Sequence, residues 1–116
     1  PPALAQAMRV AVQLAREAEA ERAALAQRIA ELRAALAAGG WHLAPSDTPI
    51  QPLLVGDSAA ALALAAALRA HGCYCPAVRP PTVPPGQARL RISLSAAHSA
   101  DDVARLVAAL RGLQNG

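Results

Sequence analysis

Two stripes of apolar residues at helical spacing lie within the first forty positions of the chain. The first stripe is Leu4, Met8, Val12 and Ala15, and the second is Leu25, Ile29, Leu32 and Leu36. Charged residues between Arg16 and Glu21 interrupt the repeat, which predicts two successive helices. Gly39-Gly40 is expected to end the second helix, because glycine readily adopts the left-handed cap conformation. The second stripe is too short to favour a coiled coil.

Three later segments have the length and composition of strands: 50–55, 73–78 and 89–95. Pro52 predicts an edge position or an irregular start for the first of them, since proline cannot donate to a strand ladder. Residues 41–49 are rich in turn residues and predict a loop. Only the last strand alternates strictly, and it presents one aliphatic face and one polar face.

Two further helices are expected between and after these strands. The first is capped by Asp57 or Ser58, runs to His71 and is ended by Gly72. The second is capped by Ser99, favoured by the acidic pair that follows the cap, and ended by Gly112. Its inward residues are predicted to be Val103, Leu106, Val107 and Leu110.

This order of elements predicts an α+β fold in two parts. Residues 41–116 are expected to form a small domain with a three-stranded, mainly antiparallel sheet covered by helices on one face. Residues 1–40 are expected to form an alanine-rich helical arm in front of it. The chain has 54% hydrophobic residues but few aromatic ones, so its helices pack closely and bury little area per residue.

Composition excludes several classes of function. The net charge is only +3 and stacking aromatics are scarce, which argues against a nucleic-acid binder. No uninterrupted apolar run reaches the roughly 20 residues of a membrane span, and no signal peptide is visible. The opening Pro1-Pro2, without an initiator Met, suggests a fragment or a processed piece.

Cys73 and Cys75 are the only cysteines, and their spacing does not predict a disulfide or a metal site. Two positions apart in a strand, they would lie about 6.6 Å apart on one face, where a disulfide would be strained. His71 is near, but a tetrahedral metal site needs four ligands and no second cluster exists. Two small apolar residues in a core strand, in a reducing cytoplasm, is the favoured interpretation.

The alternating strand carries the candidate chemistry. Arg89 and Arg91 share its polar face with Ser93 and Ser95, and arginine forks bind carboxylate or phosphate in a bidentate manner. The alternation alone fits equally a solvated outer face with surface salt bridges.

The connector before this strand, RPPTVPPG, is stiff by composition. A plain linker, a proline ligand for a signalling domain and an active-site loop that holds Thr82 all remain open for it. The chain has no phosphate loop, nucleophile elbow or paired catalytic carboxylates. All 11 basic residues are arginine, so the chain has no lysine with which to form a Schiff base.

The segments VRPPTVPPGQARLRISLSAAH and SDTPIQPLLVGD together closely resemble the C-terminal part of the α-oxoamine synthases. These are pyridoxal-phosphate enzymes of fold type I. The resemblance extends over the whole chain and is weakest in the helical arm. It implies that residues 1–40 link to a large cofactor-binding domain that this chain does not contain.

Within this family, the motifs are most similar to those of the acyltransferase of biotin biosynthesis. The resemblance therefore implies a cytoplasmic homodimer that condenses L-alanine with pimeloyl-CoA or pimeloyl-ACP, with loss of carbon dioxide. By resemblance, Arg91 binds the amino-acid carboxylate and Thr82 contacts substrate at the mouth of the active site.

The resemblance also implies what the chain lacks. The Schiff-base lysine and the other cofactor ligands of the family have no counterpart here, so no catalytic, cofactor-binding or metal-binding residue is expected, and the chain alone should be inactive. Glycine C-acetyltransferase, 5-aminolevulinate synthase and serine palmitoyltransferase are the alternatives within the family. A non-catalytic helical interaction module built on the Leu25 to Leu36 stripe is the alternative outside it.

Overall fold

The computed structural model describes residues 2–115 and the side chains of residues 8–114, so the side chain of Leu4 lies outside it. Three helices and four short strands are present, which confirms the α+β class. They are α1 (Pro2–Ala38), β1 (His42–Leu43), β2 (Ile50–Gly56), α2 (Ser58–Ala70), β3 (Ala77–Val78), β4 (Ala88–Ser93) and α3 (Ala100–Asn115). All pairs are antiparallel, in the order β1-β2-β4-β3. The sheet therefore has one strand more than the sequence predicted, because β1 lies within the expected loop.

The arm is one unbroken helix, so the prediction of two helices was wrong. α1 continues through the charged stretch from Arg16 to Glu21, whose side chains are almost all exposed. Alanine, glutamate and arginine all favour helix formation. An apolar stripe is needed only where a helix packs against another part of the protein. The end was predicted correctly: the amide of Trp41 donates to the Leu36 carbonyl at 2.9 Å, and Gly40 has φ of 83°.

The helices cover one face of the sheet, as predicted. Leucine and isoleucine from β2 and β4 face α2, α3 and the last turns of α1, and form one core with them. Its fully buried large side chains are Leu32, Leu36, Leu53, Leu68, Leu90, Ile92 and Leu110, together with the polar Gln51. Within residues 2–115, no helix packs on the opposite face of the sheet.

Pro52 lies in a central strand, so the expectation of an edge position was wrong. β2 pairs with β1 on one side and β4 on the other. The amide of Ala44 donates to the Pro52 carbonyl at 2.9 Å, but Pro52 has no amide hydrogen to return. A guanidinium nitrogen of Arg33 donates to the Ala44 carbonyl at 3.1 Å instead. A side chain from the arm thus replaces the hydrogen bond that proline cannot make.

Two further boundaries differ from prediction. The strand predicted at 73–78 is β3, and it begins at Ala77 and not at Cys73. The amide of Cys73 instead donates at 2.8 Å to the Leu68 carbonyl and so closes the end of α2. α3 continues through Gly112 to Asn115. Its last turn is tied to the arm by the side chain of Gln114, which donates to the Gly39 carbonyl at 2.9 Å. None of the helices in the described part of the chain is long and apolar enough to cross a membrane.

Candidate functional site

The uncovered face of the sheet carries the candidate site. Along β4, Leu90 and Ile92 are buried, while Arg91 and Ser93 are exposed, as the alternation predicted. The register places Ile50 opposite Ser93 and Leu54 opposite Arg89. Ile50 is 41% exposed and Leu54 is 39% exposed. The face therefore combines cationic and hydroxyl groups with apolar side chains, a combination that suits an anionic ligand with an apolar part.

Arg91 lies at the middle of this face, between two prolines. Pro52 is its cross-strand partner on β2, and on the other side the amide of Arg91 donates to the Pro76 carbonyl at 2.9 Å. Both prolines are half-buried and Arg91 is exposed. Among residues 8–114 the guanidinium of Arg91 makes no salt bridge or hydrogen bond, so its fork is open to an external carboxylate.

Arg89 has the same orientation but different surroundings. Its Nε donates to the Gln87 carbonyl at 3.1 Å, and a terminal nitrogen lies 3.4 Å from the Gln87 side-chain oxygen. Part of its fork is thus engaged within the chain, and the residue is half-buried. The alternation of the strand could not distinguish Arg89 from Arg91 as a binding residue. Their contacts do, because of these two only Arg91 has a guanidinium without a hydrogen bond to another described residue.

Thr82 lies in the connector that joins β3 to β4. The connector is turned twice: the amide of Thr82 donates to the Arg79 carbonyl at 3.0 Å, and the amide of Gln87 donates to the Pro84 carbonyl at 3.1 Å. The Pro80–Pro81 peptide bond is cis. Thr82 is exposed. Within the described residues its hydroxyl makes no hydrogen bond, either to Arg91 or to any other group. Both predicted residues are therefore accessible, at the connector and on the strand it leads into.

The charged residues that β4 places on this face are both arginines, Arg89 and Arg91. The segment from Ser58 to Ala100, which contains β4, has four arginines and neither aspartate nor glutamate. Two cations on one strand face favour the approach of an anion.

A concave feature lies beside the end of β4, between the Cys73–Cys75 segment and the start of α3. It has a volume of about 220 Å³, and its lining includes Cys73, Cys75, His98 and Asp102. Burial, reinforced by the neighbouring Cys73, raises the pKa of Cys75 to about 11, so this thiol is protonated at neutral pH. The described residues contain no group of side chains that could hold a metal ion. Both cysteines are free.

One functional feature was not found from the sequence. The sequence marked Pro52 only as a strand irregularity and assigned no role to Pro76. Their common neighbour is Arg91, and this becomes visible only when the strand register is known. The signal was nevertheless present, since proline is uncommon within strands, and here Pro52 lies within β2 while Pro76 directly precedes β3.

Comparison with known proteins gives a consistent result. The family model described as aminotransferase class I and II matches residues 1–110. A curated relative from Polaromonas naphthalenivorans, named 8-amino-7-oxononanoate synthase, is 57% identical over 119 residues, covering 95% of the chain and 29% of the relative. Further relatives named as synthases of this kind are 53% to 59% identical. The chain thus spans about 29% of the length of the curated relatives that it matches.

Solved structures share the fold. A serine palmitoyltransferase from S. paucimobilis with bound PLP–myriocin has a TM-score of 0.78 and 26% identity, over 84% of this chain and 25% of that one. The 8-amino-7-oxononanoate synthase of Francisella tularensis has a TM-score of 0.68 over 80% of this chain and 26% of that one. At 23% identity, the latter shows the fold alone.

Proposed function

Since the chain belongs to the class I and II aminotransferase family, we propose that it forms the C-terminal part of an 8-amino-7-oxononanoate synthase. Relatives with this name are 53% to 59% identical, whereas the serine palmitoyltransferase structure is 26% identical. The other α-oxoamine synthases are therefore the less favoured assignment. The reaction of the whole enzyme joins L-alanine to a pimeloyl thioester, carried by CoA or ACP, with loss of carbon dioxide.

The open fork of Arg91 is the observation that carries this proposal within the chain. The guanidinium binds the carboxylate of L-alanine through two parallel N–H···O bonds, which fix the orientation of the carboxylate as well as its position. A fixed carboxylate in turn fixes the direction of the bond at Cα that must break, and such alignment lowers the barrier. The role of this chain is thus to hold and orient the amino acid.

Thr82 and the connector support a second contact. The turn at Thr82 holds its hydroxyl outward in a segment with few rotatable bonds, so that little entropy is lost when it binds substrate. We assign it to the mouth of the site, where it donates a hydrogen bond to the substrate.

Pyridoxal phosphate is the cofactor of the proposed whole enzyme, where it supplies an electron sink. The residues of this chain do not fit a complete site for it, since the chain has no lysine with which to form the Schiff base. The cofactor must then be held by the part of the protein that this chain lacks.

The arm is proposed to join this domain to that cofactor-binding part. On α1, Met8 and Val12 form one exposed apolar strip, and Val10 and Leu14 form another on the opposite side. Their exposed fractions of 50% to 63% are high for such residues, which suits a helix that is buried between two surfaces in the complete enzyme. The proposed assembly is a cytoplasmic homodimer.

The alternative of a helical interaction module finds no support in the packing. Leu32 and Leu36, at the centre of the stripe it requires, are buried in the core of the domain itself. Leu25 and Ile29 pack against the same core. The stripe is therefore used for packing within the domain, and only its partly buried members Leu25 and Ile29 keep some exposed surface.

Substitution of Arg91 in a full-length enzyme carrying this segment tests the proposal. Arg91→Ala should raise the KM for L-alanine by about 10- to 100-fold with little change in the KM for the pimeloyl thioester, because a charge-assisted pair with the carboxylate is lost. Arg91→Lys should restore little, since one ammonium cannot form the fork. The measurement is steady-state turnover with each substrate varied in turn.

Arg111→Ala is the matched control, because Arg111 is exposed on α3 and away from the uncovered face. Its kinetics should equal those of the unmodified enzyme. An unchanged KM for L-alanine in Arg91→Ala would refute the role of Arg91 and with it the proposed site.

A further inference from the structure

The two prolines beside Arg91 each leave a backbone carbonyl without its usual donor, Pro52 within the central strand β2 and Pro76 directly before the edge strand β3. Pro52 leaves the Ala44 carbonyl to be satisfied by Arg33, as described above. On the other side, the amide of Arg91 donates to Pro76, and in an antiparallel pair the return bond would come from the Pro76 amide, which does not exist. Proline at such positions weakens the ladder. Proline beside an edge strand is ordinary, whereas Pro52 in the central strand β2 is not, and both lie in the row of Arg91.

The row they share is that of the proposed carboxylate-binding residue. Arg91 and Pro52 face each other in a pair whose mutual backbone bonds are absent, since the Arg91 amide points towards Pro76 and the Pro52 carbonyl towards Ala44. In such pairs the Cα atoms are only about 4.5 Å apart and the side chains lie close together. The aliphatic part of Arg91 therefore has a proline ring on each side, one within β2 and one directly before β3.

Proline differs from other strand residues in what it offers a guanidinium. Its side chain has no acceptor, so it cannot bind the fork, whereas Asp, Glu, Asn or Gln in the same row would compete with the substrate. It also has no rotamers to exchange, so the walls beside Arg91 do not move. A fork held between fixed apolar walls loses less entropy on binding a carboxylate.

We propose that Pro52 and Pro76 are positioning residues that hold the Arg91 side chain in its carboxylate-binding geometry. The inference rests on the proposed function of Arg91 and adds to it the reason why the sheet carries two prolines in this row. Neither proline touches the reacting atoms. Their contribution is exerted through Arg91 and is specific for a ligand with a free carboxylate.

The test compares two ligands on full-length holoenzyme. Binding of L-alanine and of L-alaninamide, which lacks the carboxylate, is titrated through the change in cofactor absorbance. In Pro52→Ala/Pro76→Ala the affinity for L-alanine should fall by about tenfold, because a poorly placed fork loses much of its bidentate bond. The affinity for L-alaninamide should change less than about twofold, since it does not use the fork.

Stability distinguishes positioning from damage. Each Pro→Ala change restores a backbone amide but also frees the unfolded chain, and these effects oppose each other, so the thermal midpoint of the double variant should change little. The single Pro76→Ala variant provides the same comparison if the double variant does not fold. Pro45→Ala, an exposed proline in the β1–β2 turn, is the control and should leave both affinities unchanged.

Each remaining outcome decides against a named claim. Equal losses for the two ligands would mean that the prolines act on the fold in general, and the inference would be overturned. An unaltered preference for L-alanine in the proline variants, together with its loss in Arg91→Ala, would overturn the inference and leave the proposed function standing. If Arg91→Ala itself keeps the preference, the proposed function fails.

Discussion

Gln51 is the buried polar residue of this small core, and it organises the turn before β2. Its side-chain amide donates to the carbonyls of Ser46 and Thr48 at 3.1 and 2.8 Å, and its oxygen accepts from Arg33. With no exposed area, the side chain is nonetheless fully paired. The residue thereby links the arm, the turn and the strand that carries Pro52.

Replacement of Gln51 should be among the more destabilising single changes in the chain. Gln51→Leu is expected to lower the free energy of unfolding by about 2–4 kcal/mol, because the part-buried bonds to the Ser46 and Thr48 carbonyls and to the Arg33 guanidinium are all lost. Urea unfolding of the chain measures it. Gln13→Ala, which removes an exposed glutamine bonded only to Glu17, should stay within about 0.5 kcal/mol of the unmodified chain. Similar values for the two variants would contradict the role given to Gln51.

For single residues, the sequence predicts the exposure of a side chain better than it predicts which groups that side chain contacts. Period-two alternation correctly placed Arg91 on the open face, because burial in a strand follows directly from side-chain direction. It could not show that Arg89 is engaged by Gln87 or that Arg91 stands between prolines. Those facts depend on cross-strand register and loop path, which no local pattern encodes.

Among the elements, the N-terminal caps of α2 and α3 were easier to predict than the strand ends. Asp57 caps α2 by accepting from the Ala60 amide at 2.8 Å, and Ser99 caps α3, since both act on their own next turn. β1 was missed because it is two residues long and exists only through pairing with β2. The arm was divided wrongly because its charged segment was assumed to need a packing partner.

The cap of α3 is reciprocal, and its strength should depend on pH. The Asp102 amide donates to the Ser99 hydroxyl at 3.1 Å, and the Asp102 carboxylate accepts from the Ser99 amide at 2.8 Å. The bond from the Ser99 amide lowers the pKa of Asp102 below its ordinary value of 3.8. A lowered pKa in the folded state means that the cap stabilises fully above the ordinary value and is lost as pH falls through the folded value.

Asp102→Asn should therefore be less stable than the unmodified chain near neutral pH, and the difference should shrink as the pH falls below about 4. Thermal midpoints across this pH range measure the effect. Asp101→Asn is the control, because it removes a charge from the same turn and leaves the Ser99 bonds intact. A difference for Asp102→Asn that is constant down to acid pH would rule out the carboxylate as the source of the stabilisation.

The whole molecule is elongated, with extents of 64 × 30 × 23 Å, because the first half of α1 projects beyond the domain. Its apolar side chains have no partner among the described residues. The α+β class, the covered face and the open polar face followed from the sequence. The position of the domain within a larger enzyme came from resemblance, since the chain itself carries only the substrate side of the proposed site.

The chain alone should have no synthase activity. Mixed with pyridoxal phosphate, L-alanine and a pimeloyl thioester, it should release no carbon dioxide and retain no protein-bound visible absorbance after gel filtration, because it has no lysine to hold the cofactor. The full-length enzyme is the positive control in the same assay. Turnover or a retained visible band with the chain alone would show that it carries a cofactor site of its own.

The unbroken arm has a mechanical consequence. A 37-residue helix is about 55 Å long and resists bending, since a sharp kink requires a proline, an inserted group or a break in its ladder. After Pro2 the helix contains no proline up to Ala38. Any hinge between this domain and the rest of an enzyme would have to lie outside the arm. Arg91 and the helix would then move together as one rigid body.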